Sequence, residues 1–145
     1  MKNNQTLESL RKVLANSYVL SLKMQNYHWN VEGPHFKPLH ELFEAQYSEL
    51  AAAIDDIAER IRALASRVEG TFEAFQSLSE IKSGNKNLKS EAMIQDLIVG
   101  HEIIAQMLRE GIKAAQGEGD EATADIFIGR SRVHEKAIWM LRSSL

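Results

Sequence analysis

"LHELFEAQYSELAAAIDDIAERI", residues 39–61, carries two patterns on one helix. Leu39, Phe43, Gln46, Leu50, Ile54, Ile57 and Ile61, extended by Leu64, recur in steps of three and four, the repeat of one buried helix face. A second stripe, about 100° round at ~3.6 residues per turn, reads His40, Glu44, Ala51, Asp55, Glu59. His40 with Glu44 and Asp55 with Glu59 are pairs four apart, so the two members of each pair point the same way. Glu44 and Asp55 lie eleven residues apart, about 16 Å along the axis, so one ion cannot reach both pairs in a single chain. Yet His40 with Glu59, and Glu44 with Asp55, are centred on the same point, between Glu49 and Leu50. Two copies of the helix packed antiparallel about that point would bring His40 and Glu44 of one chain to Asp55 and Glu59 of the other, making two identical sites. Ala51, Ala52 and Ala53 near the crossing permit a close approach.

The rest of the chain is helical by the same criterion. Leu7, Leu10, Leu14, Ser17, Ser21, Met24 and His28 form the core stripe of a first helix running to about Asn30. Gly33-Pro34 and Pro38 break the pattern, and the second helix is expected from about His35 to Ala65. A third, with Ser90 as the expected N-cap, carries Ile94, Leu97, His101, Ile104 and Leu108. "GEGD" at 117–120 ends it, and a fourth spans about Glu121 to Arg142 with Ile126, Arg130, Val133, Ala137 and Leu141 on one side. Short first and last joints make antiparallel neighbours, whereas the middle joint, 66–89, is long enough to run back along a whole helix. The expected fold is therefore all-α, a four-helix bundle of ferritin-like topology, with a short extra helix at "TFEAFQSL" in the crossover between helices two and three.

Composition narrows the chemistry. The 145 residues, 44% hydrophobic, suit one domain over 1–145 with a real core. A net charge of −3 opposes nucleic-acid binding by a basic surface, and the absence of cysteine leaves only nitrogen and oxygen as metal ligands. No stretch reads as a signal peptide or membrane span, so the expected address is the cytoplasm. His28, reaching the second helix after the Gly-Pro turn, can add another imidazole to His40, Glu44, Asp55 and Glu59, a set suited to iron, manganese or zinc. The ordinary alternative is a solvated face, with Arg60 and Arg62 pairing locally and the histidine merely packing. Glu32-Gly-Pro-His35 has Glu-x-x-His spacing, but the Gly-Pro break spoils the helical geometry that an intrachain di-iron centre needs.

"YHWNVEGPHF", "LHELFE", "AIDDIAERI", "GDEATAD" and "HEKAIWMLR" together closely resemble the Dps family of miniferritins over most of the chain. The resemblance implies a hollow dodecamer built from two-fold dimers that oxidises ferrous iron, commonly with hydrogen peroxide in preference to dioxygen, and stores the ferric mineral inside. It carries the family's ferroxidase ligands onto His28, His40 and Glu44 of one subunit and Asp55 and Glu59 of its two-fold mate, Glu44 standing where some members have aspartate. It places Trp29 and Trp139 near that centre as absorbers of stray oxidising equivalents, although core packing is the generic expectation for both. Asp120 and Asp125 resemble the acidic lining of iron-uptake pores, with capping of the fourth helix an alternative role for Asp120. Glu41 and Glu49 are candidates for nucleating mineral inside the cavity. His35, His101 and His134 fit no ligand set and are read as surface or packing residues. DNA compaction, the activity behind the family's name, is expected to be weak or absent, since only Lys2 is basic ahead of the first helix and the chain stops at "LRSSL".

Overall fold

The computed structural model describes residues 4–145, so Lys2 lies outside the described residues. Five helices follow in order: α1 (Asn4–Asn30), α2 (Phe36–Ala63), α3 (Phe72–Leu78), α4 (Ser90–Gly117) and α5 (Glu121–Arg142). No strand occurs among the described residues. The four long helices form the bundle and α3 is the expected short helix of the crossover, its N-terminus capped by the Thr71 hydroxyl, which accepts from the amide of Ala74.

The stripes read from the sequence on α1, α2 and α4 face the interior, whereas on α5 the buried face runs through Phe127, His134 and Ile138 and leaves Ile126 and Val133 part-buried. Leu10, Leu14 and Met24 of α1, Phe43, Leu50 and Ile57 of α2, and Ile94, Leu97 and Ile104 of α4 are all buried in one core. Burying one such aliphatic side chain contributes roughly 1.5–3 kcal/mol, which is why the stripes decide the packing. Gly111 lets α4 and α5 approach closely, because a β-carbon there would meet the Phe127 ring at 2.7 Å. At the α1–α2 joint Gly33 takes a φ of 114°, a conformation that favours glycine. Pro38 is tolerated because it lies in the first turn of α2, where its missing amide hydrogen has no helical acceptor.

Two expectations need correction. The N-cap of α4 is Lys89 and not Ser90, which is the first helical residue. The tryptophans are not core residues: Trp29 and Trp139 are each 62% exposed. The neighbouring positions Ile138 and Leu141 take the interior face of α5 instead, and Trp139 projects outward between them.

The long crossover is fastened by polar contacts to α1. Asn16, fully buried, accepts from the amides of Glu80 and Ile81 at 2.8 and 3.2 Å. Farther along α1, Lys23 and the Tyr27 hydroxyl both engage Asp96 of α4, and burial with the neighbouring Asp96 carboxylate pushes the Tyr27 phenol well above its ordinary range. At the other end of the bundle the Glu118 carboxylate caps α1, accepting from the amides of Gln5 and Thr6 at 3.0 and 2.9 Å.

Candidate metal centre

The α1–α2 turn brings the histidines of positions 28 and 40 face to face. Their rings stack with centroids 3.8 Å apart and planes 14° from parallel. Nδ1 of His28 lies 2.6 Å from the carbonyl oxygen of residue 40, and Nδ1 of His40 lies 2.7 Å from the carbonyl oxygen of residue 28. A carbonyl can only accept, so each Nδ1 must carry its proton and donate. Both rings are thereby held in the tautomer that leaves Nε2 with a free lone pair, the state in which imidazole binds a metal. His28 is buried and His40 half-buried.

The stacking also limits how the pair can bind. Imidazole donates in its ring plane, and two nearly parallel planes cannot share one ion lying in both. As stacked, each ring would present its Nε2 to a separate ion.

The carboxylates sit where the helix arithmetic puts them. α2 runs unbroken from Phe36 to Ala63, so Glu44 stays about 16 Å along the axis from Asp55. Glu44, Asp55 and Glu59 are exposed. Among the described residues of one chain, no three His, Asp or Glu side chains gather where they could hold an ion. Of the five candidate ligands, one chain brings together only His28 and His40, with Glu44 one turn beyond His40 on α2 and Asp55 and Glu59 farther along the same helix. The local-pairing alternative does not hold for the arginines. Arg60 engages Asp120 and Thr123 of the α5 N-terminus at 2.9 Å each, and Arg62 donates to the carbonyl of Ser66 at 3.1 Å.

The other candidates separate sharply. The Asp120 side chain accepts from the Thr123 amide at 3.0 Å, and so caps α5. Burial alone would raise its carboxyl pKa, but the Thr123 hydroxyl and amide and the Arg60 guanidinium outweigh that and hold it below the usual range. Asp125 is exposed and lines the groove between α2 and α5 with Asp56 and Glu59. Glu49 is held by the guanidinium of Arg130, whereas Glu41 is exposed with only Lys37 nearby at 3.9 Å.

Sequence reasoning missed a second polar constellation. His101 of α4 and His134 of α5 are buried with their Nδ1 atoms 2.9 Å apart. Nε2 of His134 faces Nη2 of Arg130 at 3.2 Å, and Nε2 of His101 faces Oε1 of Gln46 at 3.2 Å. Arg130 can only donate, so the chain has one direction: Arg130 to His134, His134 to His101, His101 to Gln46. Both histidines are neutral in it. Burial, then the Arg130 charge, lowers the His101 pKa to about 4, and burial with the neighbouring His101 and Arg130 lowers that of His134 well below the usual value. The signal available in the sequence was Gln46 and Arg130 on core stripes, polar residues whose burial requires partners.

Comparison with known proteins agrees with this architecture. Residues 7–145 match the ferritin-like domain family. DNA protection during starvation protein 2 of Bacillus anthracis is 38% identical, covering 99% of this chain and 98% of its own. The crystal structure of Dps from Staphylococcus aureus superposes with a TM-score of 0.95 at 34% identity, covering 100% of this chain and 98% of that one. Dps from Vibrio cholerae O1, described as a member of a broad superfamily of ferritin-like diiron-carboxylate proteins, gives 0.93 at 31% identity, covering 97% of this chain and 90% of that one. The chain belongs to the ferritin-like domain family and, within it, to the Dps proteins.

Proposed function

We propose that the protein is a ferroxidase and iron store that works as a dodecamer of two-fold dimers, with each oxidation centre shared between two chains. The observation that carries this reading is the imidazole pair, whose reciprocal Nδ1 bonds keep both Nε2 atoms free as ligands. His28, His40 and Glu44 hold ferrous ions from one side, and Asp55 and Glu59 of the two-fold mate close the site. The face that would meet the second copy supports it: Tyr18, Leu22 and Phe72 are 41%, 53% and 76% exposed and flank a groove with Ala51 and Ile54 of α2. Large apolar side chains grouped on the surface of a bundle mark an interaction site.

Ferrous iron is the substrate. Two ferrous ions each give one electron to hydrogen peroxide, the O–O bond breaks, and two hydroxides form without release of a hydroxyl radical. Peroxide is the preferred oxidant and dioxygen the slower one. The ferric product is stored as mineral, which protects the cell by removing both reactants of radical chemistry. Zinc or manganese would occupy the same nitrogen–oxygen ligand set without serving as the productive substrate. Asp125, the uncommitted acid of the "GDEATAD" segment, draws cations toward the shell, while Asp120 has a structural role first. Glu41 is better placed than Glu49 to nucleate mineral, since Arg130 already neutralises Glu49. Trp29, next in sequence to His28 and exposed, is available as an electron donor near the centre, with Trp139 a second. DNA binding is weak or absent at a net charge of −3. A gel shift at low and moderate salt checks this, and the site of action is the cytoplasm.

Complementation tests the shared centre. Chains with His28→Ala and His40→Ala should assemble but oxidise iron poorly, and so should chains with Asp55→Ala and Glu59→Ala. Co-refolded in equal amounts, they should regain about a quarter of wild-type activity, since about half the dimers are mixed and each of those has one whole site under two-fold symmetry. No rescue despite demonstrated mixing would refute the intersubunit site.

A further inference from the structure

The imidazole pair is itself held between two aromatic rings. Phe36 stacks on His40 with centroids 5.0 Å apart and planes at 27°, and Tyr47 meets His28 edge to face at 5.4 Å and 71°. The order of contacts is Phe36, His40, His28, Tyr47, so each imidazole has two ring neighbours.

We propose that Phe36 and Tyr47 are positioning residues of the metal centre, the two ends of a four-ring stack that stops the imidazoles from tilting. A hydrogen bond from Nδ1 fixes one atom of a ring, and the ring can still swing about it. Packing against two rings restricts that freedom, so Nε2 is held in one direction before any ion arrives. Pre-organising a ligand in this way removes the ordering cost from the binding step.

Two features separate this role from ordinary packing. Phe36 is 43% exposed at the first position of α2 and does not belong to the buried core, so its contact with His40 is not part of core formation. Tyr47 fills the one turn that the ligand stripe skips, between Glu44 and Ala51, so it stands on the ligand face of α2 with its body against the core. An aromatic edge toward a ring face is a favoured geometry, worth about 0.5–1.5 kcal/mol beyond burial. The hydroxyl of Tyr47 plays no part in the contact, which makes phenylalanine the conservative substitute.

The proposal rests on the ferroxidase reading for its consequence but not for its geometry, and the test keeps the two apart. Metal-free crystal structures and anaerobic ferrous-binding calorimetry would be compared for the assembled wild type, Tyr47→Leu, Tyr47→Phe and Phe36→Leu. Tyr47→Leu should release the His28 ring from the stack and weaken ferrous binding about 10-fold, the scale seen when a group that orients a metal ligand is lost. Tyr47→Phe should keep both the stack and the affinity, and Phe36→Leu should show a smaller loss in the same direction. An unchanged stack in Tyr47→Leu, or a Tyr47→Phe variant as impaired as Tyr47→Leu, overturns the clamp. A wild type that binds no ferrous iron, with the stack still lost in Tyr47→Leu, would leave the clamp standing and remove the iron reading.

Discussion

Two histidine pairs sit in the same bundle with opposite fates. In the pair of His28 and His40, each ring spends one nitrogen on a backbone carbonyl and keeps the other free. In the pair of His101 and His134, every ring nitrogen has a partner: each other, Arg130 and Gln46. The first pair lies at the turn between α1 and α2, with Glu44 exposed one turn beyond His40 on the same helix. The second is buried between α4 and α5, with a permanent cation at one end. A histidine is thus left available as a ligand by what its neighbours leave unused, and made structural when they use everything.

The contrast is open to attack from the ligand side first. Replacing His28 and His40 by alanine should lower the ferroxidase rate on the order of 100-fold or more, because the loss of direct ligands exceeds the ~10–100-fold seen for groups one shell out. Peroxide-driven oxidation of ferrous iron, followed by absorbance, measures it. Folding stability should change far less than activity, and a collapse of the fold would show that this pair is structural too.

The opposite substitution should give the opposite pattern. His101→Ala or His134→Ala leaves buried donors and acceptors unpaired and opens a cavity, at a cost of roughly 2–4 kcal/mol. Denaturant unfolding reads that cost, and ferrous binding by the still-folded fraction should match wild type. Lost binding with intact stability would reverse the assignment of the two pairs.

Acid should sharpen the difference further. His101 stays neutral in the folded protein down to about pH 4, but protonates near its ordinary value of 6.5 once unfolded. Between those values the unfolded chain binds more protons, so this contribution to stability is complete above pH 6.5 and is lost as pH falls toward 4. Unfolding measured from pH 7.5 to 5 should show stability declining in the wild type. A variant with both His101→Asn and His134→Asn should have a shallower decline. Equal slopes would remove the buried pair as the cause.

The smallest effects concern two aspartates five residues apart. Asp120→Asn keeps a capping acceptor for the Thr123 amide but removes the charge paired with Arg60, and should cost about 1 kcal/mol or less. Asp125→Asn should leave stability unchanged and slow iron uptake at low ionic strength, because an exposed carboxylate acts through its field. Stopped-flow uptake at two salt concentrations distinguishes them. The same rule separates these acids as separates the histidines, since one is already spent on Arg60 and Thr123 and the other is not.

Much of this was legible in the residues alone. Helical periodicity is a property of a segment by itself, so the stripes identified all four long helices and the interior faces of α1, α2 and α4, while the face read on α5 missed Phe127 and Ile138. The length of the 66–89 joint gave the crossover, and the common centre of His40 with Glu59 and Glu44 with Asp55 is the basis of the proposed two-fold site, because a straight helix converts sequence spacing directly into distance. Which ring nitrogens are free was not legible. That depends on a carbonyl twelve residues away for His28, and on a side chain thirty-three residues away for His101. The exposure of Trp29 and Trp139, the capture of Glu49 by Arg130 and the commitment of Asp120 are of the same kind. A residue's own helix sets the direction in which it points, but the neighbouring helices decide whether it meets water, a partner or a ligand, and only the tertiary structure brings those helices together.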